Sequence, residues 1–475
     1  MTKSQIQISN QSSKSQSLNY LSFKYSFVIG ILSFVILSSF LSFAQSSLDE
    51  IPSIPPFTKN DKVLILAPHP DDETIGAGGV IQRALKAGAD VYVACMTNGD
   101  ANQLAFIVYE KRLTFRKGEF IHMGEVRKKE TVAALKFLGV DEGKQFFLGY
   151  PDFGTMEILL KYWGPTKPYQ SMFTRVASVP YAENLSPNAL YIGENILNDM
   201  KTVLLRVKPT KIFVSHPADT NGDHEATYLF LRIALWDLGN KLKAPQIFPY
   251  LVHCVGWPKP RGFHPKLPLL PHEKFICTQI KWMKLDLSDD EVKVKDKATD
   301  FYKSQIPYNP WYMHTFSRKN ELFGDYPDAI LKESANKKID WQEVCRTPDT
   351  ESEDSIVFLS YAKKDNKFYI KLALNRKITK GVTSNIYLLP YSKETDFSDM
   401  PKLRLVITRT SLLLYNKRSR IFVKQAKMSI ADKDSIVIEL PMATLNFPNY
   451  ILSRSKVYTD TAPNDLSAWR ALKLE

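Results

Sequence analysis

The sequence predicts an α/β protein: a Rossmann-like, mainly parallel sheet with helices on both faces, followed by a small C-terminal antiparallel β-domain. Three observations predict it. From residue 62 onward short apolar runs alternate with amphipathic helical stretches, the pattern of parallel strands joined by covering helices. Two clusters of histidine and aspartate each follow directly on such a run, where open sheets of this type carry their sites. Beyond Trp341 helical periodicity gives way to alternation at period two.

At 475 residues the chain exceeds one ordinary domain. Residues 1–26 carry Lys3, Lys14 and Lys24 without an acidic residue, and the apolar stretch Phe27–Ala44 follows. That order is the one export signals use, with the small residues Ser42 and Ala44 ahead of Gln45 fitting a cleavage site. Left uncleaved, about 18 apolar residues are long enough to span a bilayer. Residues 1–44 are therefore read as a signal peptide or N-terminal membrane anchor, and the expected location is exported, periplasmic or extracellular, with membrane association if the segment is retained. A Pro- and Ser-rich linker covers 45–61.

In the segment 62–340 the expected strands are Val63–Ala67, Val91–Met96, Gln145–Leu148, Lys211–Ser215 and Tyr250–Val255. Gly76–Ala87, Gly124–Phe137 and Gly193–Val207 repeat apolar residues at three and four and are read as helices. Residues 156–192 and the Pro-rich 256–274 show little periodicity and are expected to wall the site. In 341–475 the segments Phe368–Leu374, Ser384–Leu389, Leu403–Thr408 and Ser435–Leu440 alternate, as in a β-sandwich-like domain.

Lys and Arg outnumber Asp and Glu by 63 to 50. A solvated basic face, or attraction to acidic lipid or glycan, accounts for that excess. There is no block of five like charges and no nucleic-acid module, so no nucleic-acid partner is expected. The four cysteines match no zinc or redox spacing, and Cys95 and Cys254, inside apolar runs, are read as buried free thiols.

The chemistry concentrates in "LAPHPDDETIGAGG" at 66–79. Adjacent unpaired carboxylates at a strand end repel one another and lose solvation, whereas a divalent cation accepts both a neutral imidazole and a carboxylate. Two neighbouring aspartates also permit one to bind a metal while the other takes a proton. The plainer explanation is a solvated turn with a helix N-cap. "FVSHPADTNGDHEAT" after the fourth strand offers a further ligand, and by chemistry alone either His216 or His224 could serve. Asp223 is read as a group orienting an imidazole. Gly76, Gly78 and Gly79 lack a full dinucleotide fingerprint and are read as close packing of helix on strand.

These motifs resemble the PIG-L (LmbE-like) family of metal-dependent N-acetylglucosaminyl deacetylases. The resemblance continues through "NGDAN", "EVRKKETVAALKFLGV", "FFLGYPDFG" and "YKSQIP…FSRKNELF", and covers about residues 60–325. It implies that His69, Asp72 and His224 bind zinc, that Asp71 is the general base, and that Arg127 and Asp152 contact sugar hydroxyls. Two histidines and one carboxylate fit zinc best, although iron(II) is also accepted by such a set. Many members carry a histidine three positions before the last ligand; here Asn221 stands there, and asparagine cannot shuttle a proton near neutral pH. Asp219, His253 and His264 are the remaining candidates for the general acid. Asp219, Asn221 and Asp223 are also candidates to support the ligands or an oxyanion.

The function expected is an exported zinc-dependent hydrolase that removes acetyl from an N-acetylated amino sugar in a glycan or glycolipid, with the C-terminal domain positioning it on a larger substrate. The alternatives are a non-catalytic glycan-binding envelope protein that retains the metal site, and a hydrolase of another amide.

Overall fold

The computed structural model describes residues 48–102, 107–109, 111, 117–275, 278–307, 309–335, 338–346, 356–374, 382–432, 435–459 and 462–475. The export segment 1–44 and Cys277 lie outside them. The chain divides between Pro52 and Ser53, and everything below concerns the unit Ser53–Glu475. Among the described residues no helix is long and apolar enough to cross a membrane.

The first sheet contains β1 (Lys62–Ala67), β2 (Asp90–Thr97), β3 (Gln145–Tyr150), β4 (Lys211–Ser215), β5 (Gln246–Tyr250), β6 (Lys281–Asp286) and β7 (Asn320–Asp325). Its order is β3-β2-β1-β4-β5-β7-β6. The first five strands run parallel, and β7 is antiparallel to β5 and to β6. Because the chain winds outward from β1 in one direction to β3 and in the other to β5, the sheet reverses its winding between β1 and β4. A crevice opens at the carboxyl ends of strands at such a switch.

The helices are α1 (Asp72–Lys86), α2 (Lys117–Leu138), α3 (Thr155–Lys161), α4 (Gly193–Val207), α5 (Gly222–Leu238), α6 (Asp289–Thr299) and the short α7 (Pro310–Met313). Strand side chains alternate between faces. Leu64 and Leu66 of β1 join one apolar cluster with Met200 and Val203 of α4 and Leu229 and Phe230 of α5. On α1 the glycines mark close approaches, as expected: a Cβ at Gly76 would lie 2.5 Å from the ring of Tyr250 on β5, and one at Gly79 2.5 Å from Leu287. The helix is interrupted at Ala77 (φ −144°), and the N–H groups of Gly79 and Val80 donate to the buried Glu321 carboxylate at 2.7 and 3.0 Å. Lys295 of α6 neutralises that carboxylate at 2.7 Å.

Three expectations are corrected. The fifth strand runs Gln246–Tyr250, not Tyr250–Val255: the chain leaves the sheet after Tyr250 so that the Val252 and His253 N–H groups can donate to the Asp219 carboxylate at 3.1 and 2.8 Å. Helix α1 begins at Asp72 and α2 at Lys117, each earlier than their apolar spacing indicated. Residues 156–192 do not line the cavity described below; their aromatic residues Tyr181 and Tyr191 are buried in the core, with the Tyr181 hydroxyl donating to Asp100 at 2.7 Å.

Beyond these elements lie two further sheets. One holds β9 (Gln342–Arg346), β10 (Ile356–Lys364), β11 (Lys367–Leu374), β16 (Lys427–Asp432) and β17 (Ser435–Pro441), in the order β16-β17-β11-β10-β9. The other holds β8 (Ala329–Leu331), β12 (Val382–Tyr391), β13 (Leu403–Ile407), β14 (Leu412–Asn416), β15 (Ser419–Ile421), β18 (Tyr450–Thr459), β19 (Ala462–Leu466) and β20 (Arg470–Leu474). All pairs are antiparallel except β8 with β20. The two sheets share one apolar core, to which Phe368, Ile370, Leu372 and Leu374 contribute from one face of β11 as their alternation predicts. Cys95 and Cys254 are buried free thiols.

Candidate active site

At the carboxyl ends of β1 and β4 lies a cavity of about 420 Å³ lined by His69, Asp71, Asp72, Arg127, Asp152, Asn221 and His253, among others. Three donor atoms converge at its base, two from the lining residues His69 and Asp72 and one from the fully buried His224. Asp72 Oδ2 lies 3.2 Å from His69 Nδ1 and 3.1 Å from His224 Nε2, and the two ring nitrogens are 3.2 Å apart. Ligands about 2.05 Å from a tetrahedral zinc sit roughly 3.3 Å from one another, so this triangle has the dimensions of one face of such a site. His253 belongs to the same group, with one donor atom of each of the four residues within 4.8 Å of the others.

The electrostatics suit a cation. Burial alone would drive the His224 imidazolium off its proton, yet the Asp219 and Asp72 carboxylates outweigh burial and raise its pKa to about 10. Both imidazoles are also held from behind. Asp219 Oδ2 lies 3.2 Å from His224 Nδ1, and Asp223 Oδ2 lies 3.3 Å from His69 Nε2. Asp223 is itself fixed by the N–H groups of Phe153 at 2.6 Å and Thr155 at 3.0 Å. It therefore orients His69, while Asp219 faces the neighbouring His224. Carboxylates behind ligating imidazoles set ring orientation and raise basicity.

Asp71 stands apart from this group. It occupies the N-cap position of α1, but its side chain makes no capping bond, so the plain capping explanation fails. Its φ of 113° is a backbone strain costing about 1–3 kcal/mol, of the kind that persists when surrounding contacts enforce it. Arg127 enforces it, donating through Nη2 to Pro70 O at 2.7 Å and Asp71 Oδ2 at 3.1 Å, and through Nη1 to Gly99 O at 2.9 Å. Glu73 accepts the Asp71 N–H at 3.1 Å and the Tyr302 hydroxyl. Burial pushes the Asp71 carboxyl up to about 7, with the Arg127 guanidinium pulling it back. Gly99 makes this possible: its φ is +67°, and a Cβ there would lie 2.0 Å from Arg127 Nη1.

Asp152 approaches His69 Nε2 at 3.1 Å through Oδ1 and accepts the Ala101 N–H at 3.1 Å through Oδ2. Asn221 lines the cavity and caps α5, its side chain accepting from Asp223 N at 2.8 Å. His216 is elsewhere: buried, it accepts the Ala218 N–H through Nδ1 at 3.0 Å and stacks on Trp282 at 5.6 Å. His264 does not line the cavity and contacts Arg261 O at 3.0 Å. Of the Pro-rich segment 256–274 only Arg261 contributes to the wall. The Asn98–Asp100 turn supports the site from behind, through Gly99 O.

The rest of the wall was not foreseen. Gln305, Asn309, Tyr312 and Met313 come from the segment between α6 and the end of α7. They lack any ligand-like spacing, and "YKSQIP" offered resemblance alone as a signal. Tyr312 fixes His253. Its hydroxyl lies 3.0 Å from Val252 O, a pure acceptor, and 3.1 Å from His253 Nδ1. The hydroxyl therefore donates to the carbonyl and accepts from the ring, leaving His253 Nε2 without the proton. Phe153, 60% exposed with φ +57°, presents its ring at the cavity.

Residues 64–235 match the family model PIG-L, described as GlcNAc-PI de-N-acetylase. A 1D-myo-inositol 2-acetamido-2-deoxy-alpha-D-glucopyranoside deacetylase of Mycobacterium sp. (strain KMS) is 36% identical over 90 residues, 19% of this chain and 28% of that protein. The chain thus matches little more than a quarter of that relative's length. The protein of the same description from Kribbella flavida is 22% identical over 304 residues, 58% of this chain and 93% of its own. Among solved structures, N,N'-diacetylchitobiose deacetylase from Pyrococcus horikoshii is 20% identical, with a TM-score of 0.32 over 52% of this chain and 72% of that one. Residues 64–235 thus match the model of the PIG-L family that the motifs resemble.

Proposed function

We propose that this protein is a zinc-dependent hydrolase that removes acetyl from an N-acetylated amino sugar. The observation that carries the reading is the triangle of His69 Nδ1, Asp72 Oδ2 and His224 Nε2 at the base of the cavity, with Asp71 held beside it but outside it. The names of the relatives, deacetylases of acetamido sugars, support the substrate class. His69, Asp72 and His224 would hold the ion, which when bound supplies Lewis acidity toward a carbonyl oxygen and water.

The chain's own residues do the rest. Asp71 takes a proton from the attacking water, and Arg127 keeps that carboxylate in place. Arg127 and Asp152 remain the candidates for sugar hydroxyls. The leaving amine needs a proton, and the geometry narrows the donor. Asp219 is occupied on both oxygens, by Asn221 N at 2.9 Å and by Val252 and His253 N–H, behind His224. With His264 remote and Asn221 unable to titrate, we assign His253 to this step as a relay: its unprotonated Nε2 receives the proton that Asp71 took from water and passes it to the amine. His253→Gln lowers kcat by about 10²–10⁴-fold in a steady-state assay of acetate release with KM little changed, as expected for a group that relays a proton; unchanged kcat removes His253 from the mechanism.

The apolar segment Phe27–Ala44 supports action after export, with the chemistry in residues 62–340. The experiment that tests the reading is acetate release from N-acetylglucosamine-containing glycans by the purified protein, with and without chelation. Activity is expected to be lost on chelation and restored by added zinc.

A further inference from the structure

We propose that the C-terminal sheets hold the metal-binding helix in position, through Arg454 and Trp469 acting on Glu225 and Pro217. The inference rests on the metal reading of the cavity.

Glu225 follows His224 directly in the first turn of α5, and its side chain is buried. Its carboxylate finds its partners in the C-terminal strands and the turn between them: Oε2 accepts from Arg454 Nη1 of β18 and from Trp469 Nε1, the latter at 3.3 Å. A second fastening sits seven residues before His224. The Trp469 N–H donates to Pro217 O at 3.1 Å, in the loop that carries Asp219 to the back of the His224 ring. Burial raises the Glu225 pKa, with the Arg454 guanidinium opposing it. Such a buried carboxylate is tolerated only with its partners in place.

The apolar packing agrees. Leu389, Tyr391, Phe397, Leu452, Trp469 and Ala471 belong to the same cluster as Ala226, Leu229 and Phe230 of α5. Trp236, near the far end of α5, stacks on Tyr450 of β18 at 4.5 Å. The helix is thus gripped by the C-terminal sheets at both ends. The site needs that grip because its ligands come from two sides of the switch point: His69 and Asp72 after β1, His224 after β4. Within the α/β part, Ser215 Oγ also anchors the turn by donating to His224 O at 2.6 Å. The family match ends at residue 235, so the grip comes from chain outside it.

The test is cobalt(II) binding to the full chain, followed by its visible spectrum and by competition with a chelator. Glu225→Gln and the milder Trp469→Phe should weaken affinity by about tenfold and alter the spectrum, as loss of supporting groups does at metal sites. Arg454→Lys should keep more of the affinity than Arg454→Met. The control is Leu372→Ala, in the core between the two C-terminal sheets, which should lower the melting temperature and leave cobalt affinity unchanged. Equal affinity in wild type, Glu225→Gln and Trp469→Phe overturns the inference alone, as does equal weakening by Leu372→Ala. A wild-type chain that binds no cobalt overturns the metal reading as well.

Discussion

Replacing Asp71 by asparagine lowers kcat for acetate release by about 10²–10⁴-fold, the contribution of a general base, while zinc affinity stays unchanged. The two halves of that result come from different observations. Asp71 is outside the group of four residues whose donor atoms cluster, so the ion loses no ligand. Its Oδ2 is instead paired with Arg127 Nη2 at 3.1 Å, and asparagine can still accept that bond through its amide oxygen. Asparagine also tolerates positive φ better than most residues, so the strained backbone at 113° survives. What disappears is only the ability to take a proton. Steady-state kinetics with zinc measured in the same samples checks both halves, and a parallel loss of zinc would place Asp71 among the ligands instead.

Asp72→Ala has the opposite signature. Its Oδ2 lies within 3.2 Å of both ring nitrogens and accepts the His69 N–H at 3.0 Å, so the substitution removes a ligand and the contact that sets the His69 turn together. Zinc affinity should fall by more than the roughly 10–100-fold that loss of an outer partner costs. Acetate release should fall to background, and calorimetric titration of the metal-free protein with zinc reads the loss directly. Retention of stoichiometric zinc in Asp72→Ala would mean that His253 or Asp152 supplies the third ligand.

What the sequence made legible was local. Residues 66–79 show the strand, the turn and the donors in one stretch, because a strand-to-helix turn compresses everything it contributes into five positions. The parallel sheet was legible for a similar reason: β1, β2 and β4 are buried on both faces and read as unbroken apolar runs. The alternation in β11 equally marked a sheet with one face in a core.

The rest depended on long-range contacts. The partner of a carboxylate is invisible in a sequence when it lies on another element, so the roles of Asp219 and Asp223 became distinct only through their distances to His224 and His69. Tyr312 meets His253 across 59 positions, and Glu225 meets Arg454 across 229. The aromatic stretch 156–192 misled for a physical reason: aromatic side chains mark a ligand wall and a core equally well, and Tyr181 and Tyr191 went to the core.

The proposed function makes the cluster at the β1–β4 switch point the centre of a metal-dependent amide hydrolase. The most direct measurement is acetate released from an N-acetylglucosamine oligosaccharide by wild type and by Asp71→Asn, each before and after chelation. Release by wild type alone is expected, abolished by chelation and recovered with zinc. Release that survives both chelation and the Asp71→Asn substitution would contradict that function.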